Sequence, residues 1–240
     1  MVFTQSVQSL MELGWGNRIP KACAEHGFEA IDLFWSTNWP RVDALRDQAV
    51  DCALRDGFSH LLFLDADMVW PTDVLSKMLR HHSQGIVGGL YFLKGKPWAP
   101  VAMKGLYRPE GSTVDQWYRL DTYPKDELLD VDILGMGCTL IPTAVFAAMG
   151  ARPWFEYEND DEGWPKVSED VPFCRRAAAA GFSLYLDPSV KCGHVHTQII
   201  DEKYHKRFQA SVRETEKRMN VTVDVPADLD AVSELETKNA

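Results

Sequence analysis

Apolar positions along the chain follow two rhythms in turn, and their order predicts an open α/β sheet. Val42, Leu45, Ala49, Cys52 and Ala53 recur at helical spacing over 42–56, with Gly57 placed to stop the helix. The compact run Leu61-Leu62-Phe63-Leu64 follows and reads as a buried strand. Thr72 and Asp73 open a second helix to about 82, and Gly85-Ile86-Val87-Gly88-Gly89-Leu90-Tyr91-Phe92 reads as the next buried strand. Helix and strand alternate as the two-layer logic of α/β proteins requires.

From 97 to 134 the rhythm shortens. Val101-Ala102-Met103 and Trp117-Tyr118-Arg119-Leu120 are separated by Pro, Gly and charged residues, which predicts antiparallel strands and therefore a mixed sheet flanked by helices. A strand at 131–134 leads through Gly135-Met136-Gly137 to Thr139-Leu140-Ile141, and a short helix from Thr143 ends at Gly150. Ser168 is placed to cap a helix that begins with Glu169 and Asp170 and stops at Gly181, with a strand at 183–186 beyond it. A final helix spans 200–219, and the acidic tail past Pro226 has the composition of a disordered segment. At the other end Val2-Phe3 runs into a helix-like stretch at 6–13. The first strand of the sheet is thus 1–4, or missing, or Ile31-Asp32-Leu33-Phe34 takes a neighbouring place.

Composition narrows the picture. The 240 residues, 45% hydrophobic and 25% charged, suffice for one globular domain, expected over 1–200, with a C-terminal helix and tail over 201–240. A formal net charge of −10 argues against affinity through a broad basic surface. An acidic protein that holds a diphosphate needs a local cation, from an Arg/Lys cluster or a divalent metal. Cys23, Cys52, Cys138, Cys174 and Cys192 are an odd set with no Cys-x-x-Cys spacing, which fits a reducing cytoplasm better than a disulfide framework or a zinc cluster. No run approaches the ~18 apolar residues that span a bilayer, so no membrane span is expected.

Carboxylates mark the candidate chemistry. Asp65 and Asp67, on either side of Ala66, stand just past the apolar strand 61–64, where ligand sites of open α/β sheets lie. Oxygen ligands in that i, i+2 relation suit Mg2+ or Mn2+ on phosphate oxygens, although an Asp that simply caps the next turn has the same spacing. Glu169 and Asp170 suit acid–base work, and also suit a helix N-terminus through its dipole. Gly135 and Gly137 permit close backbone approach to a ligand or serve a tight turn. Trp164, in a polar segment, is the aromatic singled out for stacking on a flat ligand face.

With Arg46-Asp47-Gln48-Ala49, Phe63-Leu64-Asp65-Ala66-Asp67-Met68, Val87-Gly88-Gly89-Leu90-Tyr91, Gly135-Met136-Gly137-Cys138, Ser168-Glu169-Asp170-Val171 and Asp187-Pro188-Ser189-Val190 before His194, the chain resembles the GT-A glycosyltransferases. The likeness is to compact, family-two-like bacterial and phage-type members, over roughly 41–200. It implies a GT-A fold and a Mn2+ or Mg2+ ion held by Asp67, with Asp65 near the ribose or the metal. It further implies His194, with His196 as substitute, as a third metal ligand. Arg46 would lie near the nucleotide, its alternative being a solvated helix face among Asp43, Asp47, Asp51, Arg55 and Asp56. Asp170, with Glu169 close behind, would be the general base of an inverting reaction, or would orient substrates in a retaining one.

The reaction so implied moves a sugar, most simply from a UDP-sugar, to a hydroxyl of a surface polysaccharide, a small metabolite or a hydroxymethylated pyrimidine in DNA, in the host cytoplasm if the gene is a phage's. Lys94/Lys96/Lys104/Arg108 and Lys203/Lys206/Arg207 are either a local positive groove for such DNA or solvated faces. Nucleotidyl transfer competes, but it usually relies on an N-terminal Gly-rich phosphate loop that the sequence lacks. A non-catalytic nucleotide-sugar-binding protein also competes, and has no need of so many acidic and imidazole groups along one sheet edge.

Overall fold

A computed structural model describes residues 18–34, 41–95, 98–107, 116–120 and 122–196. In chain order these form α1 (Arg18–His26), α2 (Val42–Arg55), β1 (His60–Leu64), β2 (Met68–Val69), α3 (Val74–Leu79), β3 (Ile86–Leu90) and β4 (Ala102–Tyr107). There follow β5 (Gln116–Arg119), β6 (Leu129–Val131), β7 (Ile133–Leu134), β8 (Cys138–Pro142), α4 (Thr143–Met149) and β9 (Glu158–Asn159). The last are β10 (Pro165–Val167), α5 (Asp170–Ala179), β11 (Leu184–Lys191) and β12 (Gly193–His194). The expected stretches at 1–4, 6–13, 200–219 and past 226, and residues Lys96, Arg108, Lys203, Lys206 and Arg207, lie outside the described residues. Among the described residues no helix is long and apolar enough to cross a membrane.

The protein is a mixed α/β fold around a five-stranded sheet in the order β1-β8-β3-β11-β6. The β3–β11 pair is parallel, and the other three pairs are antiparallel. Strand alternation fills both faces. Ile86, Ile141, Leu184 and Leu186 pack on one side with Val50 of α2, Phe146 of α4 and Phe173 of α5. Val87, Leu140 and Val190 pack on the other with Ala22 of α1 and Val74 and Met78 of α3. A three-stranded sheet, β5-β4-β7, stands beside it, and two short ladders, β12–β2 and β10–β9, sit at the loops.

Three expectations shift. Ile31-Asp32-Leu33-Phe34 forms no strand: Leu33 N donates to its neighbour's Asp32 Oδ1 at 2.8 Å, a local bond that competes with a sheet ladder, and Leu33 and Phe34 are exposed. Helix α3 ends at Leu79 rather than near 82, because His81 N and His82 N bond back only three residues, to Met78 O and Leu79 O. Ser168 does not cap α5 through its side chain. Its hydroxyl donates to Asp170 Oδ1, while Glu169 occupies the N-cap position without a side-chain cap bond.

Candidate active site

Strand direction decides where the chemistry gathers. Since β8 is antiparallel to both β1 and β3, and β11 is parallel to β3, the C-terminal ends of β1, β3 and β11 share one sheet edge with the start of β8. The segments 65–67, 91–95, 135–137 and 192–196 therefore meet, the carboxyl-edge position that ligands occupy in open α/β sheets.

Two linked sets of charges occupy this edge. The inner one centres on Arg46, which projects from α2 with its guanidinium carbon 5.8 Å from the ring centroids of both Phe63 and Phe155. Arg46 Nη1 donates to Glu169 Oε1, a residue 123 positions away, and Nη2 donates to Asp65 Oδ2 at 3.1 Å and Oδ1 at 3.3 Å. Arg46 and Glu169 are both buried, so the solvated-face reading of Arg46 does not hold. Burial pushes the Glu169 carboxyl up from its ordinary range, Arg46 pulls it down less strongly, and Asp170 adds to the upward push. Tyr157, beside Glu169, has its phenol raised to about 12, first by burial and then by that carboxylate.

The outer set is half-buried. Asp67 Oδ2 accepts a hydrogen bond from Lys94 Nζ and lies 3.7 Å from His194 Nε2. The β12–β2 ladder sets this distance: His194 pairs with Met68, and Val195 N donates to Asp67 O at 2.8 Å. His194 Nδ1 lies 2.8 Å from Phe92 O, a carbonyl that can only accept, so Nδ1 donates to it and Nε2 is the ring atom turned toward Asp67. A backbone carbonyl behind one ring nitrogen is the usual support of a metal-ligating histidine. His196 is exposed, and among the described residues it is His194 that lies near Asp67.

Asp67 and His194 bring one carboxylate and one imidazole to the same point, donor types that Mn2+ and Mg2+ accept. Among the described residues no group of three or more His, Cys, Asp or Glu side chains gathers at one point. One carboxylate and one imidazole are what remain, and ions of this kind take much of their coordination from substrate phosphates and water.

Backbone contacts bind the two sets together. Asp65 N donates to Gly137 O at 3.1 Å, and Gly137 N donates to Tyr91 Oη at 3.0 Å. Tyr91 in turn meets His194 edge-on, 5.5 Å between ring centroids. A Cβ on Gly135 would come 2.2 Å from Tyr91 Oη and 2.6 Å from Val101 Cγ1, and one on Gly137 would come 3.0 Å from Tyr91 Cζ. Both glycines make room for the Tyr91 ring, whose hydroxyl is driven upward by burial first and by Asp65 second.

Of the residues named from sequence, Arg46, Asp65, Asp67, Glu169 and His194 come together here, joined by Gly135 and Gly137 in the floor. Ala66 is exposed between the two aspartates. Asp170 is half-buried at the first turn of α5 next to Glu169, its Oδ1 held by Ser168 Oγ. Trp164, 68% exposed in the β9–β10 hairpin, has its backbone N on Asp160 Oδ1 at 2.8 Å and no described contact with the site. Sequence reasoning missed Tyr91 and Lys94. Tyr91 closes the Val87-Gly88-Gly89-Leu90-Tyr91 run, and Lys94 stood within a cluster read as a groove or a solvated face. No groove forms from the described members of that cluster, since Lys94 pairs with Asp67 and Lys104 with Asp130 and Asp132.

No protein-family model matches the chain, and no curated protein matches it. Among solved structures it is similar to A197 from STIV, at 21% identity and TM-score 0.44, over 77% of this chain and 79% of that one. It is also similar to GalNAc-T7 solved with UDP, GalNAc and Mn2+, at 13% identity and TM-score 0.45, over 85% of this chain and 42% of that one. At these scores neither likeness bears on what this chain does, and the case for its activity rests on the geometry of the β1 edge.

Proposed function

We propose that the chain is a GT-A-type glycosyltransferase that moves a sugar from a UDP-sugar to a hydroxyl acceptor, with residues 1–200 as the catalytic unit. The observation that carries this reading is the pairing of Asp67 Oδ2 with an Nδ1-anchored His194 Nε2 at 3.7 Å, beside the Asp65–Arg46–Glu169 set. Asp67 and His194 would hold Mn2+ or Mg2+, and the bound ion would supply the positive charge that a departing diphosphate needs. Asp65 is oriented by both its oxygens on Arg46, which makes Arg46 a positioning residue and leaves Asp65 to meet the donor. The commitment of Glu169 to Arg46 favours the half-buried Asp170 as the carboxylate that would take the proton of an acceptor hydroxyl.

Thermal stability against a panel of nucleotide-sugars, with and without Mn2+, tests the donor site. A ligand present at 100 times its Kd stabilises the fold by about 2.7 kcal/mol. Mn2+-dependent stabilisation by a UDP-sugar is expected; no shift with any donor would turn the reading toward a non-catalytic protein. Asp170→Asn should leave that stabilisation intact and slow transfer by roughly 100-fold to 10,000-fold, measured as UDP release with an acceptor panel that includes hydroxymethylated DNA. Undiminished transfer would place the base elsewhere.

A further inference from the structure

The residue at this edge that the proposed reaction does not account for is Lys94. Its ammonium sits on the same Asp67 oxygen that faces His194. Lys94 and His194 are also tied to one stretch of backbone, since Phe92, two residues before Lys94, supplies the carbonyl that anchors His194 Nδ1. The segment that aims the imidazole at Asp67 therefore also brings a cation to it.

A divalent ion and an ammonium compete for Asp67 Oδ2, because both draw on its lone pairs and they repel each other. Among the described residues Asp67 is the only acceptor recorded for Lys94 Nζ, and both side chains are about one-third exposed, Lys94 at 35% and Asp67 at 29%. Lys94 can thus move off the carboxylate into the open edge without breaking any core contact. On leaving, its ammonium remains within a side chain's length of Asp67, where the phosphates of a metal-bound diphosphate would collect negative charge.

From this arrangement, and resting on the metal site proposed above, we infer that Lys94 is an exchangeable counter-ion: it neutralises Asp67 in the empty protein and transfers to the diphosphate when metal and nucleotide bind together. Metal alone must displace the ammonium with nothing to receive it, so it binds weakly. Metal with diphosphate gives the ammonium a new anionic partner, so each ligand strengthens the other by the same factor, as linkage demands. The device makes the site respond to the metal–nucleotide pair rather than to free metal.

The test measures binding, without turnover. Free Mn2+ is followed by electron paramagnetic resonance during titration of the full chain, with and without UDP, in wild type, Lys94→Met, Lys94→Arg and Asp67→Asn. Wild type should bind Mn2+ more tightly with UDP present, by a factor within the usual range of about 5 to 150. Lys94→Met should bind Mn2+ alone about tenfold more tightly, bind UDP at saturating Mn2+ about tenfold more weakly, and lose most of the coupling. Lys94→Arg, which keeps the charge, should stay close to wild type. If Lys94→Met leaves bare Mn2+ affinity unchanged, or Lys94→Arg tightens it equally, while Asp67→Asn abolishes binding, the metal site stands and the counter-ion role is overturned. If Mn2+ binding is absent in wild type, or unaffected by Asp67→Asn, the metal site and the role of Lys94 fall together.

Discussion

Asp187 and Asp67 follow strands of the same sheet or lie within them, both carry a cationic partner, and they do opposite work. Asp187, in β11, has a side chain only 4% exposed, and its oxygens are saturated by protein. Oδ2 takes Arg80 Nη2 at 2.7 Å and lies 2.9 Å from His81 Nε2, while Oδ1 takes Ser189 N at 2.9 Å. Asp67 has one partly exposed ammonium on Oδ2 and an imidazole nitrogen 3.7 Å away, beyond hydrogen-bond distance. A carboxylate whose bonds are all answered holds the end of α3 against β11. One held by a single, partly exposed cation can exchange that cation for another. Saturation, more than burial, separates a carboxylate fixed by its own protein partners from one open to a further ligand.

The sharpest way to break this comparison is to remove the cation shared by the inner set. Arg46→Met leaves buried Glu169 without its counter-charge and should cost about 3–5 kcal/mol, read by denaturant unfolding. Glu169 then has a folded pKa raised further above its unfolded value, so the loss should be greatest at neutral pH and should ease as pH falls through that raised value. A pH-independent loss would mean that Arg46 stabilises through packing on Phe63 and Phe155 alone.

Next in size, Asp187→Asn should cost about 1.5–3 kcal/mol at pH 7, since it weakens hydrogen bonds to a buried charge. The Asp187 carboxyl is held below its ordinary range: burial, the largest influence, pushes it up, but the bonds from Ser189, Arg80 and His81 together outweigh it. Its contribution is therefore present above the unfolded value of about 3.9 and is lost as pH falls through the lower folded value. Wild type and variant should converge in melting temperature below about pH 4. Smallest on this scale is Asp67→Asn, expected within about 1 kcal/mol because its pair with Lys94 is partly exposed. The same change should abolish Mn2+-dependent UDP binding, and a large stability loss instead would make Asp67 a second Asp187.

Much of this arrangement is legible in the sequence. Leu61-Leu62-Phe63-Leu64 followed by Asp65-Ala66-Asp67 marks a strand end with paired carboxylates, and Glu169 with Asp170 marks a helix start, because both signals are local in period and residue type. The alternation on β3 and β11 likewise follows from side-chain periodicity, as Ile86 and Val87 enter opposite faces. What local pattern misread was equally particular. Ile31-Asp32-Leu33-Phe34 has a strand's composition, yet it joins no ladder among the described residues, and its Asp32 side chain bonds the adjacent backbone instead. Trp164 has the chemistry of a stacking platform but sits on a hairpin with no described link to the edge.

By itself, then, the sequence determined most of the order of elements, the alternating core and the acidic residue types at the end of β1 and the start of α5, since each depends on neighbours within a few positions. Only tertiary structure decided which charges meet. That Arg46 takes Asp65 and Glu169, that His194 rather than His196 faces Asp67, and that Lys94 joins them depends on α2 packing over β1, on the β12–β2 register and on the path of the chain after β3. A shift of one residue in that short ladder would turn the other face of the strand toward Asp67, and periodicity along the chain carries no record of such a register.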